Sequence, residues 1–320
     1  MQWLSQQPPV FERAVITIGN FDGLHLGHQK LLQRLVEEAQ AIRGIPVVLT
    51  YLEHPGHYMH KDDPVPILTP RFCKIKLIQR FGVEEVFHLN FSLSSSKVSA
   101  EEFLAQVLVG QFHPAVILAG HDSHFGYQRT GTPEFLRQHQ NEFGYRSIQI
   151  EPVYYEGQVI SSTLIRQTLK ACALDQVTAM LGRPYRLYGQ VVHGLHIGAK
   201  ICFPTINLQL IDREQLIPEA GVYLSAVKLQ GVQFFGLTNI GFSPTVKSMA
   251  KVEIETHLLD FQENVYNRRL ELDLLSFIRA EKEFDSVSEL QTAIRRDIAQ
   301  GREMADRYRP FLRDLACCSD

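Results

Sequence analysis

The sequence predicts an α/β half followed by a β half: a doubly wound parallel sheet over residues 1–184, then a small antiparallel β-barrel with terminal helices over 185–320. Three observations carry this. Apolar strand-like runs alternate with helix-period patterns through the first half, which is the signature of βαβ units. The alternation stops at Gly182-Arg183-Pro184, and short strands with turn signals follow it. The length, 320 residues, exceeds one ordinary domain and suits two.

Element by element, Ala14–Ile18 is an apolar run ending at Gly19. Leu31, Leu32, Leu35, Val36, Ala39 and Ile42 then recur at helical spacing, and Gly44 closes that helix. Pro46–Tyr51 reads as the next buried strand, followed by a polar loop from Glu53 to Pro66. Arg71–Phe81 is helical, Glu85–Leu89 a strand, Ala100–Val109 a helix and Ala115–Leu118 a strand. A helix from about Asp175 stops at Gly182, with Pro184 beyond. In the second half Arg186–Val192, Gly221–Leu229, Val232–Thr238, Val252–Leu259 and Leu270–Ile278 read as strands. Ser286-x-x-Glu289 is a capping box, and Val287, Leu290, Ile294 and Ile298 form one helical face behind it.

Composition narrows the function classes. Hydrophobic residues make up 45% and charged residues 21%, as in folded soluble chains. Lys and Arg number 32 against 35 Asp and Glu, so neither a nucleic acid nor an anionic membrane is an expected partner, while a small phosphorylated ligand needs only a local site. The uncharged stretch beginning at Phe103 is broken by Gln106, Gly110, Gln111, His113 and Pro114, which argues against a membrane helix. The first fifteen residues show no secretory leader pattern, and the five cysteines show no CxxC pairing; reduced thiols and a cytoplasmic location are expected. A homo-oligomer is compatible with all of this.

The most informative stretch is Gly19-Asn20-Phe21-Asp22-Gly23-Leu24-His25-Leu26-Gly27-His28, set between a strand and a helix. Glycines let backbone approach a ligand closely, and the helix start directs free N–H groups at the loop, which suits phosphate. His25 and His28, three apart, share a helical face and can hydrogen-bond a phosphate whose charge grows during transfer. In Ser161-Ser162-Thr163-Leu164-Ile165-Arg166 the serines can cap a helix, while Thr163 and Arg166 offer a hydroxyl and a guanidinium to a departing pyrophosphate; an N-cap with a solvated Arg is the plainer alternative. Gly120-His121-Asp122-Ser123-His124-Phe125-Gly126 follows a strand end, where a parallel sheet binds its ligands. Histidines 54, 57 and 60 repeat every third residue, as metal ligands can, but they lie in a loop holding Pro55 and Gly56 and not on a regular helix; the loop reads as a mobile lid rather than a structural zinc site.

In the second half Phe203-Pro204-Thr205-Ile206-Asn207 follows a glycine-bearing segment with Gly194 and Gly198. Thr205 and Asn207, two apart in an extended segment, face the same way, and hard oxygens of that kind suit magnesium held with phosphates; a capped turn is the alternative. Over Lys251–Leu259, Val252, Ile254 and Leu258 share one face and Glu253, Glu255 and His257 the other.

These motifs together, across nearly the whole chain, resemble the bacterial bifunctional riboflavin kinase/FAD synthetase family. Gly19–His28 looks like its GNFDGxHxGH motif, Ser161–Arg166 its ISSTxIR signature, and Gly120–Gly126 its GxDFxFG motif with Ser123 at an aromatic position. His54-Pro55, Asn239-Ile240-Gly241-x-x-Pro244-Thr245, Arg279 and Glu255-x-His257-x-x-Asp260-Phe261 are similar to further family segments. The chain departs from the pattern at Ala199 and Cys202. The resemblance implies an HxGH-type nucleotidylyltransferase sheet and a riboflavin kinase barrel. ATP would phosphorylate riboflavin to FMN and adenylylate FMN to FAD, with Mg²⁺ at both steps. His25, His28 and Arg166 would be catalytic in the first domain and Glu255 the base in the second. Gly19, Asn20, Phe21, Asp22, Gly23, Gly27, Ser161, Ser162, Thr163, Gly194 and Gly198 would meet nucleotide or phosphate, and Asp122, Phe125, Asn239 and Arg279 the flavin. The rival expectations are a nucleotidylyltransferase for another acceptor and a flavin-binding regulator that has lost an activity.

Overall fold

The computed structural model describes residues 4, 8–51, 64–90, 97–193, 203–243 and 251–312. The histidine loop at 54–60, Gly194, Gly198, Ala199, Cys202, Pro244 and Thr245 lie outside them. The chain divides into two compact units, Met1–Ser162 and Thr163–Asp320.

The first unit is built on a five-stranded parallel sheet of order β3-β2-β1-β4-β5. Its strands are β1 (Ala14–Gly19), β2 (Ile45–Tyr51), β3 (Glu85–Leu89), β4 (Pro114–Gly120) and β5 (Arg146–Ile150). β1 is buried along its length, as a central strand covered on both faces must be, and this is why it reads as a continuous apolar run. Helix α1 (Leu26–Ile42) ends where Arg43 takes a left-handed conformation. α2 spans Arg71–Gln79. α3 begins at Ala100–Phe103 with Ser99 as its cap, widens into a π-helix over Leu104–Val109 and closes at Gly110–Phe112. α4 (Pro133–Phe143) is capped by the Thr132 hydroxyl and stopped by Gly144. A two-residue hairpin, β6 (Tyr154–Tyr155) and β7 (Gln158–Val159), follows β5. The strand order reverses between β1 and β4, and sheets of this kind bind their ligands outside the strand carboxyl ends at such a switch point. The core gathers Ile16, Val47, Leu49, Phe87, Leu104 and Phe112 around the sheet.

Helix α5 (Ser162–Lys170) begins at the division between units, and α6 (Leu174–Leu181) ends at Gly182, which holds φ near 68°. The second unit is a closed six-stranded barrel of order β10-β11-β12-β9-β8-β13. Its strands are β8 (Tyr185–Val192), β9 (Ile206–Leu210), β10 (Gly221–Leu229), β11 (Val232–Ser243), β12 (Lys251–Leu258) and β13 (Arg269–Ala280). Inside the barrel Thr238 links Ser225 and Thr256 in a chain of three buried hydroxyls. Buried Arg186 donates to Asp273 and Glu271 across β8 and β13. Helix α7 (Val287–Leu312) follows, with the Ser286 hydroxyl accepting from the Glu289 amide as the capping box predicts. Both halves of the expected architecture are present: a parallel α/β sheet and an antiparallel barrel with a terminal helix.

Candidate functional sites

The loop between β1 and α1 is unusual in its backbone. Phe21 (φ 54°), Gly23 (φ 76°) and Leu24 (φ 43°) all lie in the left-handed region, two of them with side chains that disfavour it. Strain of this kind persists only where surroundings over-determine it, and here they do. The buried Asp22 carboxylate accepts the amides of Leu68 and Thr69 at 3.0–3.1 Å. The Asp22 carbonyl accepts the Ser162 hydroxyl at 2.9 Å, so the second motif begins by fastening the first. Asn20, directly after β1, has its carbonyl held by the Thr50 hydroxyl (3.2 Å) and the Lys74 ammonium (2.9 Å).

The turn delivers two imidazoles to the start of α1. His25 is the N-cap, its Nδ1 accepting the His28 amide at 3.4 Å. The rings stack 3.7 Å apart with 19° between their planes. Gly27 makes room for this, since a Cβ there would stand 3.1 Å from the His25 ring. Part of His28 reaches solvent, yet its Nδ1 is buried without a hydrogen-bond partner. Burial, then the neighbouring His25 and Lys74, hold the His28 pKa well below 6.5, so His28 is a neutral ring at pH 7. The α1 amides of Leu26 and Gly27 precede the first intrahelical bond, from Gln29 to His25. The two imidazoles and the helix-start amides together form a donor cradle of the kind that receives phosphate oxygens.

Other expected first-domain residues have structural engagements. The Asp122 carboxyl is exposed, 3.8 Å from His121. Phe125 is buried in the core, its ring packed on Phe103 and Phe135 and its backbone bridged to Gly131. On α5 Thr163 is exposed and Arg166, one turn on, is buried.

In the barrel, register does the assembling. Asn207 on β9 lies opposite Glu255 on β12, Glu255 opposite Asn239 on β11, Asn239 opposite Val222 on β10, and Val222 opposite Arg279 on β13. Directly paired residues share a face of the sheet, so four polar residues distant in sequence form one row. Ile254, Thr256 and Leu258 are buried, while Glu253, Glu255 and His257 are half-buried, so the expected alternation holds from Glu253 onward; Val252, expected on the apolar face, is itself half-buried. His257 Nδ1 donates to the Pro204 carbonyl at 2.8 Å and so anchors the turn that carries Thr205. Burial first, and the charge of Glu253 second, raise the Glu255 pKa. Arg279 is held by Asp297 of α7 through three contacts of 2.8–3.1 Å.

Thr205 and Asn207 offer hard oxygens, with the Glu255 carboxylate paired opposite Asn207, a chemistry that fits a small divalent cation shared with phosphates. Among the described residues no group of three or more His, Cys, Asp and Glu could hold a metal alone. Sequence reasoning misses Lys74. Its signal is nonetheless there: it lies on the buried stripe of α2 with Leu77 and Ile78, where a lysine is out of place.

The comparisons with known proteins agree with this division. The family model described as FAD synthetase matches residues 7–164, and that described as riboflavin kinase matches 181–305. A bifunctional riboflavin kinase/FMN adenylyltransferase from Escherichia coli K12 is 36% identical over 96% of this chain and 97% of its own. Its counterpart from Pseudomonas fluorescens is 35% identical over 93% and 94%. A crystal structure described as a macrolide-efflux protein from Streptococcus pneumoniae matches with a TM-score of 0.85 at 30% identity, over 93% of this chain and 96% of that one. The efflux description belongs to that protein; what it shares with this chain is the fold. Among the described residues no helix is long and apolar enough to cross a membrane. With two family models matched in tandem and relatives alike over nearly their full length, the chain belongs to the bifunctional riboflavin kinase/FMN adenylyltransferase family.

Proposed function

We propose that residues 1–184 transfer the AMP moiety of ATP to FMN and that residues 185–320 phosphorylate riboflavin to FMN. In the first reaction an oxygen of the FMN phosphate attacks the α-phosphorus of ATP in line. The bond to the bridging oxygen breaks, and FAD and pyrophosphate result. No covalent enzyme intermediate is required, because alignment of two bound substrates supplies much of the rate. Asn20, His25 and His28 hold the triphosphate, with the backbone of Gly19, Phe21, Gly23 and Gly27 approaching it. Asp22 sets the loop, Ser161, Ser162 and Thr163 frame the helix start, and Arg166 meets the departing pyrophosphate. Asp122 belongs to the flavin side of this domain, while Phe125, its ring packed in the core, supports that segment from behind.

In the second reaction Glu255 accepts the proton of the ribityl hydroxyl as its oxygen attacks the γ-phosphorus, and ADP leaves. A raised carboxylate pKa makes Glu255 a better base than an ordinary glutamate. Thr205 and Asn207 hold Mg²⁺, which neutralises phosphate charge when bound. Gly194 and Gly198 approach the nucleotide, and Asn239 and Arg279 border the flavin. The cytoplasm, where ATP is plentiful, is the setting in which we place both reactions.

The observation that carries this reading is the stacked His25–His28 pair at the start of α1. Riboflavin, ATP and Mg²⁺ incubated with the protein should give FMN and FAD, separated by chromatography. FMN alone would mean an inactive first site, and no product would favour a flavin-binding regulator.

A further inference from the structure

Lys74 is a buried cation bonded to the loop that follows β1, and nothing in the motif set calls for it. Its Nζ donates to the Asn20 carbonyl at 2.9 Å and to the Tyr51 carbonyl at 3.1 Å. Asn20 is the first residue after β1, and Tyr51 is the last of β2. One side chain from α2 therefore ties together the carboxyl ends of two adjacent strands. The Asn20 carbonyl also accepts from Thr50, so its position is fixed from two directions. A lysine stem long enough to reach solvent is instead directed inward, which is costly unless the ammonium is used.

The charged and titratable groups around Lys74 come from every element packed on it. Asp22 in the loop supports its charge and Arg71 on its own helix opposes it. His28 on α1 and His88 on β3 each have their protonation disfavoured by it. The Tyr51 phenol at the end of β2 is pushed up to about 12 by burial and stays protonated.

We infer that Lys74 is a positioning residue of the adenylyl-transfer site: it fixes Asn20 against the end of β2 and supplies the fixed positive charge that His28 faces. The inference rests on the reading of the first site given above. Its chemical content is a division of labour. Lys74 provides positive potential beneath the phosphate cradle, and His28, kept neutral, provides a directed hydrogen bond without carrying charge itself. Burial lowers the Lys74 pKa to about 8, so it is a cation at pH 7 and loses that charge as pH rises through about 8.

The test uses the full-length protein and the variants Lys74→Met, Lys74→Gln and Lys74→Arg. FAD formation from supplied FMN and ATP is followed as a function of pH, with riboflavin phosphorylation as the control for an intact barrel. Lys74→Met and Lys74→Gln should lower FAD formation about tenfold or more. They should move the acid limb of its pH profile upward, because His28 is protonated more easily without a cation beside it. Lys74→Arg should keep the acid limb of the wild type and remove the fall above about pH 8, since a guanidinium does not lose its proton there. Independently of activity, the His28 ring followed by NMR should begin to titrate at higher pH in Lys74→Met than in the wild type.

An unmoved acid limb and an unmoved His28 titration in both Lys74→Met and Lys74→Gln would overturn the inference. So would equal damage from Lys74→Arg and Lys74→Met, which would reduce Lys74 to a packing residue. A wild-type protein making no FAD would overturn the reading of the site, while the His28 titration would still report on the electrostatic claim separately.

Discussion

The two units build phosphate chemistry in opposite ways. The first site is made of irregular backbone: three residues of one turn with positive φ, a carboxylate committed to holding amides, and helix-start N–H groups. The second is made of regular backbone, with its residues brought together by strand register alone. Their electrostatics differ in the same sense. Burial beside a cation drives His28 to its neutral form, and burial beside a like charge makes Glu255 more basic. A loop-built site depends on the residues that hold the loop; a register-built site depends on the pairing, which many hydrogen bonds share. The first should be sensitive at positions that touch no substrate, and the second chiefly at the row itself.

The largest expected effect tests the row. Glu255→Gln keeps shape and removes the base, so riboflavin phosphorylation should slow by about 10²- to 10⁴-fold. FAD formation from supplied FMN should be unchanged. A loss of both activities would show that the units are not chemically separate.

The converse is His28→Ala. Removal of a preorganised donor at the point where charge develops typically costs about 10²- to 10³-fold. FAD formation should fall by that much, with FMN formation retained, and FMN should accumulate when riboflavin is the starting flavin. Equal loss of FMN and FAD formation would sink the two-site picture.

These two variants fall on residues legible in the sequence, and the reasons show where legibility ends. Central parallel strands are buried on both faces, so β1 and β2 stand out as apolar runs. β5, Arg-Ser-Ile-Gln-Ile at the sheet edge, has only two apolar residues and neither a continuous apolar run nor strict alternation, so it does not stand out from its surroundings. The π-helix within α3 has no sequence signature at all, because Leu104–Val109 is apolar at helical spacing either way. Glycine and histidine spacing locates the cradle. It does not reveal that the Asp22 carboxylate is taken up by Leu68 and Thr69, partners more than forty residues away. Phe125 shows the same limit: an aromatic in a motif can face a ligand or fill a core, and here its ring is buried among Phe103 and Phe135. Tertiary partners decide such cases, and one sequence does not name them.

Gly23→Ala probes the sensitivity of the loop directly. At φ 76° an added Cβ costs about 1–2 kcal/mol. The melting transition of the first unit should fall by a few degrees. FAD formation should fall further than stability does, because relaxing the strain displaces His25 and the start of α1. A stability loss with wild-type turnover would show that the cradle tolerates a relaxed loop, and the contrast between the two sites would shrink.

The smallest effect bears on how the barrel tunes its base. Burial is the leading cause of the raised Glu255 pKa and the Glu253 charge the lesser one. Glu255 accepts a proton only when ionised, so phosphorylation should decline as pH falls through its raised pKa, above the range of an ordinary glutamate. Glu253→Gln removes the like charge and leaves the burial. The acid limb should therefore move to lower pH, by a fraction of a unit, with the plateau rate unchanged. The direction follows from the sign: without a neighbouring negative charge the ionised form of Glu255 is easier to reach. A shift of more than a unit would make the neighbouring charge, not burial, the dominant influence, and the barrel row would then be tuned by point charges much as the first site is by Lys74. No shift would leave desolvation as the sole cause, and the row would owe its basicity entirely to the depth at which register sets it.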